Sequence, residues 1–137
     1  MLYSYEIIEN EDGFVGYVTD LDFKTKPQKT IEEAESVLTE GLSAFVEVCF
    51  RAKKKMIPLP STDCKDKLAL YVPIKLQLRI LLWNTMLEKK VKQSELAQTL
   101  EVTKAMVNQM VNGKGNISVE KYEEVLQLLD KYPNITL

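Results

Sequence analysis

A chain of 137 residues with 18 Lys or Arg, 20 Asp or Glu and no His carries a formal charge of −2, and 45% of it is apolar. That is the composition of a soluble globular protein with room for one average domain or two small ones, and it excludes a larger multidomain enzyme. Without imidazole there is no His-dependent triad, no two-His zinc helix and no imidazole acid–base pair, and no run approaches the roughly 18 uncharged apolar residues of a membrane helix. Met1-Leu2-Tyr3-Ser4-Tyr5-Glu6 has neither a basic start nor an apolar core, so we expect no secretion signal and a cytoplasmic protein. Cys49 and Cys64 are too far apart and too few for a thiolate metal site. Cys49 reads as a reduced residue in an apolar helical stripe and Cys64 as part of a polar loop, and we expect no metal and no cofactor.

The net charge hides an asymmetry. Residues 1–48 hold 11 acids against Lys24, Lys26 and Lys29, a balance of −8; residues 49–73 come to +4 and residues 74–137 to +2. An acidic first third repels phosphate backbones and attracts a basic partner, whereas the last third tolerates nucleic acid.

Along the chain, Leu2 to Glu9 alternates Tyr3, Tyr5 and Ile7 with Ser4 and Glu6, and Phe14 to Thr19 is rich in β-branched and aromatic residues. With Asn10-Glu11-Asp12-Gly13 between them they make a hairpin. A short third strand is expected near Leu21–Phe23. Thr30-Ile31-Glu32-Glu33 has capping-box spacing, and Ala34, Val37, Leu38, Gly41, Leu42, Phe45, Val48 and Cys49 then form one apolar stripe on a helix of about 20 residues, roughly 30 Å long. The stripe ends at Arg51-Ala52-Lys53-Lys54-Lys55, read as a solvated helix end whose cations suit the dipole, with a nucleic-acid patch as the alternative. The prolines of Met56-Ile57-Pro58-Leu59-Pro60-Ser61 demand extended chain, and Leu68, Leu70 and Val72 alternate as a strand returning to the hairpin sheet, closed by Pro73.

From Ile74 the pattern turns helical with two apolar faces, Leu76, Ile80, Trp83 and Leu87 on one and Ile74, Leu78, Leu81 and Thr85 on the other. A helix apolar on opposite faces must be covered on both, and we assign the first face to a homodimer or higher oligomer in preference to the N-terminal domain. The tail Asn134-Ile135-Thr136-Leu137 is β-prone and could add an intersubunit strand.

Gln93 to Leu100 reads as a short helix with Leu96, Ala97 and Leu100 inward, Glu101-Val102-Thr103 as a turn, and Lys104 to Asn112 as a second helix capped by Thr103, packed through Val107 and Met110 and stopped by Gly113. A further helix, capped by Ser118, buries Val119, Tyr122, Val125, Leu126 and Leu129. Two short helices with a three-residue turn match a helix-turn-helix. Lys104, Ala105, Asn108, Gln109 and Asn112 face outward: amides bond adenine bidentately, Lys donates to guanine and Ala meets a thymine methyl. Gln93, at a helix start, suits a phosphate. With Thr103 and Lys114 these make the candidate DNA-binding set.

The whole chain resembles the HicB antitoxins of bacterial type II toxin–antitoxin systems, in the branch with a C-terminal lambda-repressor-like (Xre-type) helix-turn-helix. The resemblance rests on Tyr3-Ser4-Tyr5-Glu6-Ile7-Ile8-Glu9, Gly13-Phe14-Val15-Gly16-Tyr17-Val18, Lys29-Thr30-Ile31-Glu32-Glu33-Ala34, Ile57-Pro58-Leu59-Pro60-Ser61 and the helix-turn-helix. It implies an α+β protein: a partial RNase H-like β-β-β-α-β domain over residues 1–73 that masks a HicA-type toxin, a small basic ribonuclease that cleaves mRNA, and an all-α domain over residues 74–137 that binds operator DNA and forms dimers or higher oligomers. Glu9, Glu11, Asp12, Phe14, Asp20 and Asp22 are the candidate toxin contacts. Two departures stand out: Asp20-Leu21-Asp22-Phe23-Lys24-Thr25 lacks the family's prolines and glycine, and Glu101 stands where the turn usually has glycine.

Two other classes compete. One is a stand-alone helix-turn-helix regulator with a ligand-sensing N-terminal domain. The other is an RNase H-like nuclease using Glu6, Asp20 and Asp22 around Mg²⁺, although strand alternation sets Glu6 apart from Tyr5 and Ile7. We expect no enzyme.

Overall fold

The computed structural model describes residues 1–61 and 68–131; Cys64 and the tail from Asn134 lie outside the described residues. The chain divides into two compact units, Met1–Lys53 with Ile57–Val72, and Lys54–Met56 with Pro73–Leu137. The fold is α+β.

In the first unit, β1 (Leu2–Asn10) and β2 (Gly13–Val18) form the expected hairpin, with register from Glu6 opposite Tyr17 to Asn10 opposite Gly13. Asn10 tightens the turn by accepting from the Asp12 amide at 2.9 Å, an Asx-type contact that suits Asn there. The third strand is β3 (Phe23–Lys24), shorter and later than the sequence suggested, because Thr19–Leu21 forms a 3₁₀ turn and Asp22 adopts a left-handed conformation before pairing resumes. With β4 (Leu68–Tyr71) the sheet runs β3-β2-β1-β4, each neighbouring pair antiparallel.

One sheet face carries Tyr3, Tyr5, Ile7, Phe14, Gly16, Val18, Phe23 and Leu70, and α1 (Ile31–Val46) lies on it. Gly16 permits the close approach: a Cβ there would sit 2.7 Å from Leu38 Cδ1 and 3.3 Å from the Ala34 carbonyl. Thr30 caps α1 by accepting from the Glu33 amide at 3.1 Å, while Glu33 reaches back to the Lys29 amide at 3.2 Å, one residue beyond the expected box partner. The buried stripe is Ala34, Leu38, Leu42 and Val46. Val37 and Val48 are exposed, Val48 by 60%, because four-residue steps drift around the helix as it follows the twisted sheet and the chain widens into a π-helical turn at Glu47–Arg51. Cys49, in that turn, is half-buried. Phe45 stacks on Phe23 with ring centroids 4.4 Å apart and meets Phe50 edge-on. Leu68, expected inward, is exposed at the start of β4, whereas Leu70 and Val72 are buried.

The second unit is helical: α2 (Ile74–Lys89), α3 (Gln93–Leu100), α4 (Lys104–Asn112) and α5 (Val119–Leu128). α2 packs on α4 and α5, and α3 on α4. Leu96, Ala97, Val107, Met110, Tyr122, Val125, Leu126 and Leu129 are buried, as the periodicity demanded; Val111, outside the expected inward set, is buried as well, and Leu100 and Val119 are half-buried at the margin. Ser118 caps α5 through the Lys121 amide at 3.1 Å.

Candidate nucleic-acid interface

α3 and α4 meet through a tight turn. Glu101 ends α3 in the left-handed conformation at φ 57°, and its amide and that of Val102 return to the Gln98 and Ala97 carbonyls. The glycine usual at this place is thus replaced by a residue that holds the same backbone at a cost of about 1–2 kcal/mol. Thr103 accepts from the Met106 amide at 3.1 Å and starts α4, while Gly113 stops it at φ 76°. A Cβ on Gly113 would collide with the Arg79 guanidinium, whose Nη1 donates to the Asn112 carbonyl at 3.0 Å. Arg79, a cation of α2, thus caps the C-terminal end of α4.

Lys104, Ala105, Asn108 and Gln109 are exposed on the outer side of α4, and Asn112 is half-exposed. No acid lies on α4, but Glu95 and Glu101 stand exposed on neighbouring α3 and its cap. Asn112 donates from Nδ2 to Asn108 Oδ1 at 2.7 Å and accepts from the Lys114 amide at 2.9 Å, tying Lys114 to the end of α4. Asn108 keeps its amide donors and one oxygen lone pair, enough for a bidentate contact. The Gln109 side chain rests beside Gly115, whose absent side chain leaves it room. Gln93 opens α3, and a shallow groove between α3 and the start of α4 is lined by Ser94, Glu95, Ala97, Gln98, Val102 and Lys104. Ser94 and Gln98 were missed as candidates; their i, i+4 spacing on the polar side of α3 was the available signal.

The candidate toxin contacts divide into two groups. Glu9, Glu11 and Asp12 are exposed around the hairpin turn, with Phe14 half-buried and its main chain bridged both ways to Gln28 at 2.8 Å. Asp20 and Asp22 follow the other end of β2, about 20 Å away at roughly 3.3 Å per residue. Asp20 accepts from the Ser61 amide and hydroxyl, and Asp22 from the Tyr17 hydroxyl at 3.3 Å. Glu6 is exposed on the sheet face opposite α1, and among the described residues no three acidic or thiol groups gather as a metal site.

The stripe assigned to a dimer interface requires correction. Leu76, Ile80 and Trp83 are buried within the single chain, and Leu87 is half-buried. Trp83 is covered by the segment Lys54–Met56, which belongs to the helical unit: its indole Nε1 donates to the Lys55 carbonyl at 2.9 Å. The sequence could not show that a segment some twenty residues upstream of α2 returns to it.

Residues 85–135 match the helix-turn-helix family model. The chain is also 25% identical over 132 residues, 96% of its own length and 93% of the relative's, to Antitoxin HicB 2 of Photorhabdus laumondii subsp. laumondii. The resemblance to HicB antitoxins with a helix-turn-helix holds. Helices α3, α4 and α5 all lie inside the segment matched by the helix-turn-helix model. Among the described residues no helix is long and apolar enough to cross a membrane.

Proposed function

We propose that this protein is a cytoplasmic antitoxin that binds and inhibits a HicA-type toxin, a small basic mRNA-cleaving ribonuclease, and represses its own operon. Residues 1–73 hold the toxin and residues 74–137 bind the operator. The observation that carries the reading is the outward set of α4, Lys104, Ala105, Asn108 and Gln109, presented by a capped helix within a chain similar along its length to an antitoxin. Glu9, Glu11, Asp12, Phe14, Asp20 and Asp22, in the stretch of charge −8, are the surface for a cationic ribonuclease, where opposite charge speeds association. The chain acts by binding and performs no catalytic step. Two-fold operators favour a homodimer, and with the α2 stripe covered its interface lies elsewhere.

One observation favours the stand-alone regulator: a cavity of about 480 Å³ in the first unit, lined by Ser4, Tyr5, Glu6, Thr19, Asp20, Ser61 and Leu68. Its acids and hydroxyls suit a cationic side chain of a partner as well as a small ligand. Co-expression with the product of the adjacent small reading frame separates the two. The antitoxin reading expects a co-purifying basic protein whose RNA cleavage stops in the complex; a chain that purifies alone and leaves that protein active contradicts it.

A further inference from the structure

We infer that Lys54 and Lys55 form an auxiliary phosphate-binding arm of the helix-turn-helix unit, meeting the DNA backbone beside the recognition helix. The inference rests on the reading that this unit binds DNA. In the run Arg51-Ala52-Lys53-Lys54-Lys55, Arg51 is committed to Glu47 by a two-pronged ion pair. Lys53, Lys54 and Lys55 are exposed, and among the described residues no carboxylate pairs with them.

The run follows α1 in sequence, yet Lys54–Met56 belong to the helical unit. The Trp83 bond to the Lys55 carbonyl fixes the segment on α2. Arg79, one turn earlier on the same helix, donates to the Asn112 carbonyl at the end of α4. Residues four apart on a helix are neighbours at about 6 Å. Lys55 is therefore tied to the face of α2 that also carries Arg79, whose guanidinium reaches the end of α4. Lys54 takes the left-handed conformation at φ 54°, turning the chain off the preceding helix.

The chemistry matches what the reading face lacks. α4 and its following loop offer two cations, Lys104 and Lys114, while Glu95 and Glu101 stand nearby on α3 and its cap, so backbone attraction from this face alone is weak. Ammonium groups on flexible stems are point charges suited to phosphate, and phosphate contacts carry most of the salt-dependent affinity.

The test uses the full chain and a duplex spanning the DNA upstream of its own reading frame. Lys54→Asn combined with Lys55→Gln removes both charges, Asn being chosen because it tolerates the left-handed backbone. Its plot of log affinity against log salt should be shallower than the wild type's by up to about 1.8 per chain, at about 0.9 per phosphate contact, with an unchanged ratio of operator to random-duplex affinity. Lys54→Arg with Lys55→Arg should keep the wild-type slope. Emission from Trp83, the single tryptophan, reports whether the α2 surroundings are intact. If it shifts in the double variant, Lys55→Gln alone is read instead, with an expected change of about 0.9. A variant with native emission and the wild-type slope overturns the inference, as does one that binds DNA normally but loses the toxin, which would assign the lysines to a protein partner. A wild-type chain that binds no duplex overturns the DNA reading itself.

Discussion

The hydroxyl of Tyr122 donates to the main-chain carbonyl of Met110 at 2.7 Å in the interior of the helical unit, joining α5 to α4. Met110 sits in the last turn of α4, where carbonyls have no partner within the helix, and it is fully buried. Tyr122→Phe keeps the ring and strands that acceptor. The expected loss is about 1–3 kcal/mol of unfolding free energy, read from the midpoint of urea denaturation at unchanged slope. A variant as stable as the wild type would mean that water or a backbone shift satisfies the carbonyl.

Glu101 holds a left-handed backbone without a glycine's freedom. Glu101→Gly should raise stability by roughly 0.5–1 kcal/mol, the relief of strain being partly offset by the greater freedom of glycine in the unfolded chain. Differential scanning calorimetry would show the gain as a higher Tm; a fall would mean that the Glu101 side chain contributes to the turn.

Gly16→Ala tests the seat of α1 on the sheet. With the added methyl group driven against Leu38 and the Ala34 carbonyl, the helix must move, and a loss of about 1–3 kcal/mol is expected in chemical denaturation. An unchanged stability would show that Leu38 can step aside.

Alkaline pH should weaken the first unit through its tyrosines. Burial, then the hydrogen bond and charge of Glu35, pushes the Tyr5 hydroxyl up to about 12, and burial and then Asp20 raise Tyr3 as well. Because the folded chain holds these protons more tightly than the unfolded chain, stability is fully present below the ordinary tyrosine value of 10 and declines as pH rises from there through about 12. Tyr5→Phe should lose less stability than the wild type between pH 9.5 and 11.5 (about the window set by that shift), measured by urea midpoints; parallel losses would show that Tyr5 ionises as freely as in the unfolded chain.

Much of this molecule was legible because its signals are local. The hairpin announced itself by alternation around Asn10–Gly13, and the helices by Thr30, Thr103 and Ser118, each of which caps as expected. The inward residues of α4 and α5 followed from period, Val111 excepted, so the outward set followed by subtraction. What was not legible depends on distant partners. Two stripes on α2 showed that both faces need cover, but not that Lys54–Met56 supplies it for Trp83. Gly16 gave no sign that Leu38 would press on it, and nothing local to Arg79 pointed to the Asn112 carbonyl. The candidate toxin contacts, five acids and Phe14, lie in one acidic stretch of the sequence, yet the length of β2 sets them at two ends of a hairpin.

The division of labour between the two units is tested most directly by one variant assayed twice. Lys104, Asn108 and Gln109 are exposed, so alanine at all three should leave the fold intact. Each amide lost should cost about 1–3 kcal/mol of operator discrimination, and hence at least about 2 kcal/mol per chain for the pair. The account predicts that the triple variant loses its preference for the operator while still inhibiting the toxin at the wild-type concentration. Undiminished operator binding would contradict the assignment of α4 as the recognition helix, and loss of toxin inhibition by the folded variant would contradict the separation of neutralisation from repression.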